Sequence, residues 1–207
     1  MIANTAMSRW SLFLLWVILT ILCIPIALVI DFGLMRILVA VIGDYISVNG
    51  VRHITEDYLY MYTLVPIAGF VTGTLQYGVL RRYLPHMGWW VVTTTAGWIV
   101  GACLALVPDW INWTNPLMTM RLAFLELGLA IGIAQWLLLR RRVSRAGWWI
   151  AASVVGWGLL AVIPGDQMVG PLVVLLLGLI PACATAATLV LLMRQVQSKA
   201  AQRASTS

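Results

Sequence analysis

Residues 69–82 read GFVTGTLQYGVLRR, and residues 128–141 read GLAIGIAQWLLLRR. The second stretch begins 59 residues after the first, and the match runs on without a gap. Gly88, Trp89, Trp90, Gly97 and Trp98 recur as Gly147, Trp148, Trp149, Gly156 and Trp157. An ungapped recurrence of this kind marks an internal duplication. Each copy reads as an apolar span, a short basic turn and a second apolar span. With two spans per copy, the copies share one orientation and form parallel repeats about an axis along the membrane normal. At 100° per residue, Gly69, Gly73, Gln76 and Leu80 fall on one helix face, as do Gly128, Gly132, Gln135 and Leu139. In lipid, small residues four apart let helices approach closely, and amides can hydrogen-bond across the seam. Gly97 and Gly101 offer a similar surface on the following span, and so does Gly156 with Ala152. Gln76 and Gln135 are therefore read as locks between helices rather than as ligand contacts.

The rest of the chain fits that reading. Of 207 residues, 62% are apolar, 10% are charged, and the mean hydropathy is +0.95. A soluble domain carries roughly 25% charged residues, so a soluble enzyme, a disordered tail and a nucleic-acid module are excluded as default readings. Six apolar stretches come near the roughly 20 residues that cross a bilayer core: 11–30, 60–80, 89–107, 122–139, 148–163 and 172–193. The expectation is one all-α transmembrane domain over 1–207, with six transmembrane helices. The first span is read as a retained anchor, since it is longer than a signal-peptide core and no small-residue cleavage site follows. Residues 31–59 read as an outer loop whose apolar part, Phe32–Gly43, lies in the interface. Residues 194–207 read as a basic tail. The last span carries small residues at Ala182 and Ala186, so pairing it with the first span completes a ring of three hairpin-like units.

Charge sets the orientation. Arg9, Arg81, Arg82, Arg140, Arg141, Arg142, Arg145, Arg194, Lys199 and Arg203 occupy one set of connections with no acid among them. The other set holds Arg36, Arg52 and Arg121 with Asp31, Asp44, Glu56, Asp57, Asp109 and Asp166. The basic side is expected to be cytoplasmic, which places both termini inside. The net charge of +6 is thus a topological signal and not a sign of nucleic acid. Trp89, Trp90, Trp148 and Trp149 follow the basic turns and are expected as interfacial anchors, with Trp110 and Trp113 at the other face.

The repeat pattern, G-x-x-x-G-x-x-Q-aromatic-x-x-L-R-R, then W-W, then G-W, resembles uncharacterised bacterial multi-pass membrane proteins. The resemblance covers residues 69–160. It implies a location in the bacterial inner membrane and a multi-helix fold, and it implies no activity. The copies differ at Tyr77 against Trp136 and at Pro85-His86 in the turn.

Glu126 is the one charge inside a span. An acid at such a depth is a functional hypothesis by default. It lies about 200° round the helix from Gly128, off the glycine seam, and its counterpart in the first copy is Ile67. It can be read as a proton or cation site, as a neutral acid bonded to a neighbouring helix, or as a side chain snorkelling toward Arg121. The last two together weigh more than the first, since no relay of acids, His or Lys accompanies it. Thr93, Thr94 and Thr95 can bond back to the preceding turn, and Pro25, Pro66 and Pro181 are expected to kink their helices.

Chemistry-bearing motifs are otherwise scarce. No nucleotide-binding loop or nucleophile–base pair occurs. His53 and His86 both lie in connections, so no span offers an imidazole to a haem. No cofactor is therefore expected, while a carotenoid, quinone or lipid in an apolar groove stays open. His53, Glu56 and Asp57 are a weak metal set in a loop, and no metal is expected. Cys23, Cys103 and Cys183 read as small packing residues. The leading expectation is a non-enzymatic structural or accessory subunit of an inner-membrane complex, such as an energy-transducing one, contacting lipids and partner subunits. The alternatives are a small transporter or proton-coupled channel using Glu126, and a membrane sensor or lipid-binding protein.

Overall fold

The computed structural model describes residues 8–84, 87–105, 116–162 and 171–206. Among these are six α-helices and one hairpin: α1 (Arg9–Ile42), β1 (Tyr45–Val48), β2 (Val51–Ile54), α2 (Thr55–Leu80), α3 (Trp90–Ala105), α4 (Pro116–Leu139), α5 (Trp148–Gly158) and α6 (Pro171–Thr206). A 3₁₀ turn, Leu159–Val162, extends α5. Ser8 caps α1, its hydroxyl accepting from the Ser11 N–H at 3.1 Å.

The expectation of six transmembrane helices is corrected. Four helices are long and apolar enough to cross a membrane: Arg9–Ile42, Thr55–Leu80, Arg121–Leu139 and Leu175–Gln195. The chain is thus a helical multi-pass membrane protein. The apolar helices Trp90–Ala105 and Trp148–Val162 are shorter. At 1.5 Å per residue, the 16 residues of α3 rise about 24 Å, against a hydrocarbon core of about 30 Å. Hydropathy measures an apolar run, and a run can exceed its helix. Trp89 belongs to the turn before α3, and α5 tightens into 3₁₀ geometry after Gly158.

The all-α expectation also changes between residues 31 and 59. α1 does not end near Ile30 but continues through Phe32 and Met35 to Ile42. Gly43, at φ 97°, stops it. The chain then turns back in an antiparallel hairpin pairing Val48 with Val51. Asn49 and Gly50 form its turn, at φ 52° and 80°, the positive-φ pair that a two-residue type I′ turn requires. Thr55 ties the hairpin to α1: its N–H donates to the Asp44 carbonyl at 3.0 Å and its hydroxyl to that of Gly43 at 2.7 Å.

Each helix packs on the next in chain order, and α6 closes the ring on α1. Glycine sets the approach around most of that ring. A Cβ on Gly69 would lie 2.8 Å from Thr95 Cα of α3, and one on Gly97 would lie 2.9 Å from Ile131 Cα of α4. Gly128 meets Trp157 of α5, Gly156 meets Pro181 of α6, and Gly178 meets Ile21 of α1 in the same way. The helical, repeat-like packing thus extends beyond the duplicated stretch. Gly178, Ala182, Thr185 and Leu189 of α6 stand where Gly128, Gly132, Gln135 and Leu139 stand in α4. Trp16, Thr20, Cys23 and Ile24 of α1 stand where Trp149, Ser153, Gly156 and Trp157 stand in α5. α6 and α1 form a third unit, divided between the two ends of the sequence. Its register begins at Gly178, not at the Ala182 and Ala186 step that the sequence suggests.

Two buried clusters divide the ring along its length. One joins Leu12 and Trp16 to Leu80, Leu84, Met87, Leu139, Val143, Leu189 and Met193. It gathers the start of α1, both basic turns and the α6 stretch near Arg194 at one end. The other joins Cys23 and Ala27 to Val65, Ala68, Trp98, Trp157 and Leu160, toward the hairpin end.

Candidate functional site

The axis of the ring carries the polar side chains that the sequence places at membrane depth. Nearest the basic end, Trp16, Trp90 and Trp149 are fully buried. Trp149 stands edge-to-face against both others, with centroids 5.8 and 5.9 Å apart. Each indole donates to an acceptor on its paired helix. Trp90 Nε1 reaches Gln76 Oε1 at 3.2 Å, Trp149 Nε1 reaches Gln135 Oε1 at 2.8 Å, and Trp16 Nε1 reaches Thr185 Oγ1 at 3.0 Å. Gln135 Nε2 links the units, donating to Gln76 Oε1 at 3.1 Å and to Thr94 Oγ1 at 3.0 Å. Thr185 passes its own proton to the Pro181 carbonyl at 2.7 Å. Thr93 and Thr95 bond back to the carbonyls of Trp89 and Val91, whereas Thr94 takes Gln135 instead.

Beyond this layer lies a small cavity of about 40 Å³, lined by Trp98 and Trp157 among others. These two indoles are edge-to-face at 5.4 Å. Thr20 Oγ1, Thr72 Oγ1 and Trp98 Nε1 all belong to residues lining the cavity, and each is buried without a hydrogen-bond partner among the described residues. The group beside Thr72 is the Cys23 thiol, which donates to the Leu19 carbonyl at 3.1 Å. Buried polar atoms call for partners, and a cavity of this size has room for about two or three water molecules. Past the Trp98–Trp157 pair, a wider, almost wholly apolar cavity of about 340 Å³ reaches Tyr60, Ala105 and Phe124 toward the hairpin end. No ionisable carboxylate or basic side chain lines either cavity. The arrangement can hold helices in register and hold small polar molecules.

The residues singled out in the sequence separate into distinct places. Gln76 and Gln135 meet on the axis, and Gly69, Gly73, Gly97, Gly101, Gly128, Gly132 and Gly156 sit at close helix approaches. The Trp pairs expected at the interface divide. Trp89 and Trp148 are exposed, while Trp90 and Trp149 are core residues, because neighbours on a helix point about 100° apart. Glu126 is half-buried on α4 and lines none of the cavities above. One of its oxygens, Oε2, is enclosed without a partner among the described residues. The His53 ring lies against Tyr58, with centroids 5.1 Å apart. Among the described residues, no three His, Cys, Asp or Glu side chains are grouped to hold a metal. The three cysteines are free. Pro85, His86, Asp109, Trp110, Trp113 and Asp166 lie outside the described residues. Trp16, Thr185 and the hairpin were not singled out by sequence reasoning. The Asn49-Gly50 pair between Val48 and Val51 is the signal that announces the hairpin. A search of α6 for the Gly-x-x-x-small pattern finds Gly178.

Neither a family model, nor a curated protein, nor a solved structure matches this chain. The fold and the axial network define its class: a helical multi-pass membrane protein with glutamine, tryptophan and threonine side chains hydrogen-bonded on its axis.

Proposed function

We propose that this chain is a non-enzymatic structural or accessory subunit of a bacterial inner-membrane complex. The observation that carries the reading is the use of the intramembrane amides. Gln76 and Gln135 bond to each other, to Trp90, Trp149 and Thr94, so their hydrogen-bonding groups serve packing. Three buried indoles fill the axis at the basic end, which supports a sealed scaffold over a conducting one. The basic turns face the cytoplasm by the positive-inside rule, with the start of α1 on that side. Lipids and partner subunits cover the outer apolar faces.

The test is purification from the native membrane in mild detergent, together with deletion of the gene. The expected result is a partner present in fixed stoichiometry whose assembled amount falls when this chain is absent. Migration as a monomer, with partner assemblies unchanged on deletion, would overturn the reading. In proteoliposomes, Glu126→Gln is expected to leave ion flux at the level of protein-free vesicles, as wild type does. A flux that depends on Glu126 would instead establish the transporter alternative.

A further inference from the structure

Three carboxylates line one open pocket at the hairpin end, and among the described residues no Lys or Arg lines it with them. Asp31, Phe32 and Met35 of α1 line it with Glu56, Asp57 and Tyr60 of α2, around a volume of about 510 Å³. Glu56 and Asp57 are exposed and sit in the first turn of α2, where a helix N-terminus favours acids. That accounts for those two and leaves Asp31. Asp31 is only 2% exposed, and its Oδ1 is buried without a partner. Among the described residues, no Lys or Arg pairs with any of the three acids. A carboxylate taken this far out of water needs a counter-charge or a donor.

The geometry narrows the occupant. Among the described residues the acids are not grouped to hold a metal ion, so a cation here is anchored by one carboxylate and not caged by three. The pocket wall is otherwise apolar or aromatic, with Phe32, Met35 and Tyr60 beside the acids. Depth supplies the last constraint. At 1.5 Å per residue, Asp31 lies about 33 Å along α1 from Arg9, at the far edge of a hydrocarbon core about 30 Å thick. That is the level of lipid headgroups. We propose that this groove between α1 and α2 binds a membrane lipid bearing a primary ammonium head, with Asp31 as its buried anchor and Glu56 and Asp57 at its rim. A primary ammonium carries three N–H donors, as a lysine head does, so it can hydrogen-bond Asp31 while Glu56 and Asp57 at the rim add longer-range attraction. A quaternary ammonium has no N–H to give, and an anionic head meets only like charge. The site is independent of any partner subunit.

The test is native mass spectrometry of the full chain, with phosphatidylethanolamine, phosphatidylcholine and phosphatidylglycerol of identical acyl chains added to the detergent. Wild type is expected to retain phosphatidylethanolamine about fivefold or more over the other two. Asp31→Asn should bring it down to the phosphatidylcholine level. A Glu56→Gln, Asp57→Asn double variant changes exposed positions only and should lower the preference in the same direction, so the test stands if Asp31→Asn does not fold. Equal retention of the three lipids by wild type, or a preference unchanged in the double variant, would overturn the proposal. So would strong binding of methylammonium by wild type without any preference among the lipids.

Discussion

Gln135 makes more interhelical hydrogen bonds than any other described side chain on the axis. It donates twice and accepts once, joining α4 to α2, α3 and α5. Gln76 accepts twice, through one oxygen. Interhelical hydrogen bonds in membranes average about 0.6 kcal/mol, with a maximum of about 1.7, and a buried donor left unmatched costs roughly 1–3 kcal/mol more. Gln135→Leu, which strands the Trp149 indole, is therefore expected to cost about 2–4 kcal/mol. Gln76→Leu removes two bonds but strands the Trp90 indole and weakens the satisfaction of the Gln135 amide, so its cost should fall in the same range. Reversible unfolding in mixed micelles measures both, and negligible losses would show that the amides are not the lock. The repeat made these two residues legible, because only paired positions survive a 59-residue shift. It did not make Trp16 legible. Its acceptor is Thr185 and not a glutamine, and its helix lies at the other end of the sequence from its partner. Nor does periodicity alone tell which Trp of each pair turns inward. The tertiary partner decides that.

Between elements, distance of approach carries the fold. Gly156 admits α6 so closely that an added Cβ would stand 2.8 Å from the Pro181 Cα. Backbone cannot yield as a side-chain tip can, so Gly156→Leu is expected to cost about 1–3 kcal/mol or more. Gly78 has nothing within 4 Å of its would-be Cβ. Gly78→Leu should stay within about 0.5 kcal/mol of wild type. Thermal midpoints followed by tryptophan fluorescence separate the two, and similar shifts would refute the seam argument. The α1–α2 contact differs from the others. Cys23 occupies the place held by Gly97 and Gly156, facing Thr72 where those glycines face Ile131 and Pro181. Spacing in the sequence indicated most of the glycine seams. It did not indicate helix length: α5 gives way to a 3₁₀ turn after Gly158, and α1 runs past its own apolar run. Hydropathy reports which residues tolerate lipid, while backbone geometry at Gly43 and after Gly158 determines where the helices stop.

The whole ring is a threefold arrangement cut at an unusual place. α2 with α3 and α4 with α5 are contiguous units, but the third unit pairs α6 with α1 across the chain ends. The contacts match in kind: a Cβ added to Gly178 would lie 2.8 Å from Ile21 Cα, as one added to Gly69 would from Thr95 Cα, and Trp16 bonds to Thr185 as Trp90 bonds to Gln76. If the three units are equivalent in packing, chain order within the third should not matter. The start of α1 and the Leu189–Met193 part of α6 share one buried cluster at the basic end, so a flexible linker can join the two termini there. Opening the chain between Asn49 and Gly50 breaks only the hairpin turn, whose strands are four residues each. Such a circular permutant is expected to fold, with α6 now leading directly into α1 and all three units contiguous. Its thermal midpoint should fall by no more than about 2–4 °C, the shift that about 1 kcal/mol produces in a chain of this size. Deleting residues 1–43 instead removes half of the third unit, exposes Thr185 and Gly178, and should abolish the monodisperse peak in gel filtration. A permutant that aggregates while the truncated chain stays folded would show that α1 is an appendage and not a member of the ring.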